Sequence, residues 1–152
     1  LIESPKVPQE YYVVTRGGEM FRTENGGSSW IRLTPAYASF DHAREISDAV
    51  LDPSDPSTIY MGSRFGLLRS TNRGEVWRAV PIIIPPEALP VRAVAIDPNN
   101  SRRILTSADT QLYMSDDSGE HWRALELPVA APIRMIRIHP TNSAEMFIVA
   151  GI

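Results

Sequence analysis

Cysteine is absent, and lysine occurs once, as Lys6, against 14 arginines. The first absence excludes disulfides, thiol nucleophiles and cysteine-bound metals, and leaves the redox compartment undetermined. The second makes arginine the main cation, a side chain suited to fixed, bidentate or stacked contacts. Genome-wide composition bias is the blander account of it. The net charge of the 152 residues is only −3, so no global field draws the chain to nucleic acid or an anionic membrane. The arginines are also scattered over the whole chain rather than clustered with stacking residues, so no nucleic-acid partner is expected. No apolar run approaches the ~18 residues of a membrane span. His42, His121 and His139 share no ligand spacing, so no metal is expected. No glycine-rich loop leads from a strand into a helix, which removes the usual phosphate cradle; no cofactor is expected. Helical periodicity is not sustained, and "SFDHAREISDAV" at 39–50 allows one turn of helix at most. No secretion leader is visible. The chain opens without Met and closes on the apolar "MFIVAGI", so both ends read as cut.

What the chain has is a repeat. "TENGGSSW" at 23–30, "STNRGEVW" at 70–77 and "SDDSGEHW" at 115–122 set Trp30, Trp77 and Trp122 apart by 47 and 45 residues. Asn25, Asn72 and Asp117 keep those intervals, as do Gly27, Gly74 and Gly119. A fixed period of this size marks a repeat architecture. Upstream, "AVLDPSDPSTIYMGSRFGLLRS" runs parallel to "AVAIDPNNSRRILTSADTQLYMS", and a half-copy begins at Ile136. Copies are read at about 8–33, 47–79, 91–125 and 133–152, the first without a clear opening strand. Within the third copy, β-branched and alternating runs bounded by turn residues give strands at about 91–96, 103–108, 112–115 and 121–125. Four short antiparallel strands per ~45 residues is the dimension of one propeller blade.

"SDDSGEHW" places two acids beside a histidine, the raw material of an acid-base or metal site. The sister boxes argue against that use. Asp116 and His121 stand where the other copies have Glu24 and Ser29, or Thr71 and Val76, substitutions that solvent-facing positions tolerate. Asn25, Asn72 and Asp117 can accept backbone N–H groups of their own turn. Thr23, Ser70 and Ser115 can add a hydroxyl bond to it. Glycine takes a backbone geometry that a Cβ forbids, and each Trp is expected to pack between sheets. The box is a turn by this reading.

These residues resemble the Asp-box, or BNR repeat, of β-propeller proteins, with Asn replacing Asp in two of the three boxes. The phrase "LDPSDPSTIYMGS…GLLRSTNRGEVW" most resembles photosystem II stability/assembly-factor-like propellers and xyloglucanase repeats. Sialidases and sortilin-like receptors share the box. The resemblance implies an all-β propeller arc of about 3–3.5 four-stranded blades, an exported location, and boxes remote from the binding face. About three strands from the first copy, four from each of the next two and two from the last make thirteen, too few to close a ring comfortably. Either the arc belongs to a longer propeller, or copies associate through their open blade edges.

Function in such an arc is expected on the loops opposite the boxes. The longest inter-blade stretch, "TPAYASFDHAREISD" at 34–48, carries Tyr37, Phe40, Asp41, His42, Arg44 and Glu45. Arg16 and Arg64, from second-to-third-strand turns of neighbouring copies, could add positive charge. A solvated connector whose Tyr37 and Phe40 pack on the blades is the alternative. Glycoside hydrolysis needs a carboxylate pair; Asp41, Glu45 and Glu87 are available but nothing marks them as one. The preferred reading is a non-catalytic scaffold that binds another protein. A fragment of a sialidase- or xyloglucanase-like hydrolase, with carbohydrate as its ligand, and a sortilin-like peptide-binding segment are the alternatives.

Overall fold

The computed structural model describes residues 1–83 and 90–151, and Glu87 lies outside them. Its strands fall into consecutive antiparallel sheets. The first holds β1 (Ile2–Glu3), which lies ahead of the copy read at about 8–33, with β2 (Tyr11–Val14), β3 (Met20–Thr23) and β4 (Ile31–Arg32). The second holds β5 (Ile46–Leu51), β6 (Ile59–Ser63), β7 (Leu67–Ser70) and β8 (Arg78–Val80). The third holds β9 (Val91–Asp97), β10 (Asn100–Ala108), β11 (Gln111–Ser115) and β12 (Arg123–Leu125). A pair, β13 (Ile133–His139) and β14 (Asn142–Ala150), forms the last.

Three details depart from the sequence reading. The first copy does have an opening strand: β1 pairs with β2 through Ile2 and Tyr12, giving fourteen described strands. Its turn matches that of the second copy, since Ser4 N donates to Glu10 O at 3.0 Å as Asp52 N donates to Thr58 O at 2.9 Å. The residue before each proline (Ser4, Asp52, Asp97, His139) is thus the same structural position four times. The helical turn is not within 39–50 but upstream, a 3-10 turn at Thr34–Tyr37 started by Pro35, whose fixed φ suits a first helical position. Residues 46–50 are strand instead. Third, Trp30 does not pack between sheets: it is 44% exposed, against 4% for Trp77.

Strand side chains alternate between faces, and here each face of a central sheet serves a different interface. In β6, Ile59 and Met61 join the cluster shared with the first sheet, around Tyr12, Met20 and Trp77, while Tyr60 joins the cluster shared with the third, around Val91, Val94 and Ile104. Both faces being covered, β6 is buried throughout. A third cluster, including Leu105, Leu112 and Ile136, joins the third sheet to the last pair. β9 packs against both β5 and β13, so the opening strands lie together at the inner edge. The chain is an all-β propeller arc of three four-stranded blades followed by a two-stranded sheet. Trp77 and Trp122 each pack against the preceding blade, whereas Trp30 meets no such blade among the described residues and is exposed.

Candidate functional site

Each blade's antiparallel order puts the box turns at one end of the arc and the inter-blade connectors, with the second-to-third-strand turns, at the other. The box end is built by local hydrogen bonds. Ser70 Oγ accepts from Gly74 N at 2.9 Å and donates to Asn72 Oδ1 at 3.0 Å, and Asn72 Oδ1 also accepts from Val76 N at 2.8 Å. Thr23 with Asn25, and Ser115 with Asp117, repeat this set. Gly27, Gly74 and Gly119 hold φ of 95°, 84° and 92°, a region closed to side chains. Trp77 Nε1 donates to Gly74 O and Trp122 Nε1 to Gly119 O, at 2.9 and 3.0 Å. In the third box, His121 is an exposed partner of Asp117, its Nδ1 at 2.7 Å from Oδ2. That carboxyl sits well below the ordinary carboxylate range, mainly because it accepts the His121 N–H and then bonds the His121 ring and Ser115 hydroxyl. Both carboxylate oxygens of Asp117 are thereby engaged by its own turn.

At the opposite end, the 34–45 connector is held from beneath. Tyr37 is wholly buried, meets Trp77 edge-on with ring centroids 5.9 Å apart, and donates its hydroxyl to Gly18 O at 3.0 Å. Its own pKa is raised, chiefly by burial. Phe40 packs on Phe65 at 5.1 Å. Gly18, at φ 71°, lets the second-to-third-strand turn approach so closely that a Cβ would lie 1.7 Å from Arg44 O. Arg64 N donates to Glu45 O at 3.1 Å, closing the connector onto the next blade.

The side chains above this base are exposed. His42 stands between two carboxylates, Nδ1 at 3.0 Å from Glu45 Oε1 and Nε2 at 3.6 Å from Asp41 Oδ2. Its φ of 57° is left-handed, a conformation rare for a non-glycine residue. Arg64 Nη1 bonds both Glu45 oxygens at 3.3 Å. Glu45 is accordingly shifted down from its ordinary pKa, first by His42 and then by Arg64. Arg44 Nη2 reaches Gly17 O at 3.4 Å. The structure thus brings Asp41, His42, Glu45 and Arg64 together, anchors Arg44 beside them, and gives Tyr37 and Phe40 packing roles. Arg16 lines a different groove, of about 320 Å3, between the inner edges of the first two blades.

That groove contains a residue the sequence reading passed over. Asp48 Oδ2 accepts Val94 N at 3.0 Å, tying β5 to β9, and its pKa is raised, chiefly by burial. The available signal was positional: an acid on an inner strand where the sister copies place Ala93 and Met135. Among the described residues, no three His, Asp or Glu side chains gather as a cation site. No described helix is long and apolar enough to cross a membrane.

No protein-family model and no curated protein matches the chain. Solved structures do. An ancestral GH74 enzyme superposes with a TM-score of 0.77 at 14% identity, over 97% of this chain and 21% of that one. A YCF48 structure bound to D1 peptide gives 0.62 at 17% identity, over 88% of this chain and 42% of that one. An auxiliary nutrient binding protein from Bacteroides thetaiotaomicron gives 0.69 at 11% identity, over 97% and 34%. The chain therefore spans about a fifth to two fifths of these relatives in structure. At such identities the likeness establishes the β-propeller fold alone, and a fold does not carry a function.

Proposed function

We propose that this chain is a non-catalytic propeller module that binds another protein, as an extended segment laid across the connector end of the arc. One observation carries the reading: a base of buried Tyr37 and Gly18 with half-buried Phe40 holds Asp41, His42, Glu45 and Arg64 as a pre-formed, exposed platform of both charges. Fixed polar groups on a rigid scaffold bind at low entropic cost. The YCF48 structure, similar in fold, has a peptide as its ligand. The repeated hydrogen-bond pattern of the three boxes supports reading them as Asp-boxes, structural turns at the far end. An exported location, as part of a larger propeller or with copies of itself, goes with that reading.

A second reading is favoured by the GH74 superposition and by the two carboxylates that flank His42. On that reading the chain is part of a glycoside hydrolase, with Asp41 and Glu45 in acid-base roles. The two are separated by paired assays. Fluorescence anisotropy with labelled short peptides should give saturable binding that Arg64→Ala weakens about tenfold, the scale of one charge-assisted contact. Hydrolysis of xyloglucan oligosaccharides should be undetectable. Hydrolysis abolished by Asp41→Asn or Glu45→Gln, without peptide binding, would transfer the conclusion to the enzyme.

A further inference from the structure

The box end carries a feature that the connector platform does not explain. The three blades place Arg22, Arg69 and Met114 at one equivalent position, immediately before the box hydroxyl. At the junction of the first and second blades, both Nη atoms of Arg22 are engaged, although its Nε is buried without a hydrogen-bond partner. Its Nη2 lies 3.1 Å from Glu24 and 3.3 Å from Glu75, and its Nη1 donates to Arg73 O at 3.1 Å. The next junction repeats the geometry without the partners. Thr71 replaces Glu24, and the carbonyl corresponding to that of Arg73, Ser118 O, is taken by the Tyr60 hydroxyl at 3.1 Å. Glu120, the counterpart of Glu75, makes no salt bridge with Arg69 among the described residues.

A second cation stands beside the first. Arg69 pairs across the strands with Arg78, where the first blade has Ile31 opposite Arg22. Like charges directly opposite on one sheet face are destabilising unless something between them is negative. The Arg69 guanidinium is set 5.5 Å over the Tyr60 ring; its Nε, like that of Arg22, is buried with no hydrogen-bond partner, so the two junctions differ in what meets the Nη atoms. Both arginines line a groove of about 680 Å3, closed on its far side by Ser118, Gly119 and Glu120. Two acids are near enough to matter. Glu120 lines the groove, and Asp55, already held low by Ser57 and Thr58, also feels Arg69. Neither makes a salt bridge to Arg69 or Arg78 among the described residues, as Glu24 and Glu75 do to Arg22.

We propose that this groove is an oxyanion site, in which Arg69 and Arg78 clamp a carboxylate or phosphate group supplied by a small ligand. Guanidinium forks suit such two-oxygen groups, and an aromatic ring behind one fork pre-orients it. The site lies at the opposite end from the connector platform and stands independently of it.

The test is titration calorimetry at low ionic strength, where screening is weakest, with inorganic phosphate, sulfate and glucuronate as probes. Saturable binding of any of these, weakened about tenfold or more by Arg78→Ala, supports the site, and their order of affinity separates a phosphate from a carboxylate source. Arg69→Met should weaken it likewise, and Met114 shows that a blade accommodates methionine there. Thr71→Glu, which restores the first junction's own counter-ion, should abolish binding while leaving the fold intact by circular dichroism. Arg123→Ala, on the third blade, should change nothing. Failure of all three anions to bind, or equal affinity in Arg78→Ala and the parent chain, overturns the proposal.

Discussion

At the scale of single residues, the box hydroxyl and the box tryptophan carry the stability of the arc. Ser70 serves two backbone N–H groups and Asn72 at once. Ser70→Ala should therefore cost ~1–3 kcal/mol through unsatisfied donors, measurable by urea denaturation. Trp77→Ala, a large core truncation, should cost ~3–5 kcal/mol, whereas Trp30→Ala, at a half-exposed position, should cost about 1 kcal/mol. That contrast also marks what was legible from sequence. The turn chemistry could be read because its bonds span only two to four residues. The burial of a box tryptophan could not, because it depends on the preceding blade. Asp117 gives a pH prediction. Its native carboxyl is harder to protonate than an unfolded one, so it stabilises the fold above the unfolded pKa of about 4. The contribution is lost as pH falls from there toward the lower native value. Asp117→Asn, the residue that the other two boxes already use, should keep the turn and flatten the fall of the urea midpoint below about pH 4.

At the scale of elements, the 34–45 connector is a fixed structure rather than a loose loop. Pro35 starts its 3-10 turn, Tyr37 plugs it into the core beside Trp77, and Gly18 receives it. Gly18→Ala would drive a Cβ into the Arg44 carbonyl, so it should lower stability by ~2 kcal/mol or more and weaken peptide binding at the platform above. A variant that is destabilised yet binds peptide normally would show that the platform does not depend on this support. The stretch could be picked out in the sequence by its length and its mixture of aromatic and charged residues, but not its division of labour. Tyr37 and Phe40 lie on the buried side and Asp41, His42 and Glu45 on the exposed side because of contacts to Gly18, Phe65 and Trp77, which are distant in sequence. β1 was missed for a related reason. A strand of two residues has no periodicity to detect, and only the Ser4-Pro5 pair, aligned with Asp52-Pro53, marks it.

At the scale of the whole molecule, three blades and a strand pair were legible because the period repeats in phase, and one period fixes one blade. The sequence also puts Asp41, His42, Glu45 and Arg64 on one rim, but not their pairing or the placing of Arg16 in a different groove, since those depend on how a connector meets the turns of two blades. Trp30 and Ile31 are exposed at one end of the arc, and Phe147 and Val149 on the outer strand of the other. Apolar groups beside a strand edge with no partner among the described residues favour association. Light scattering should show a mass that rises with concentration, and Phe147→Glu should suppress the rise. The central claim is that the connector end, not the box end, receives a polypeptide. Its most direct test is hydrogen–deuterium exchange of the chain with and without a saturating pool of short extended peptides. The account predicts slowed exchange across 39–48 and around Arg64, with the three box turns unchanged. Protection confined to the box turns, or none anywhere while the peptides are bound, would contradict it.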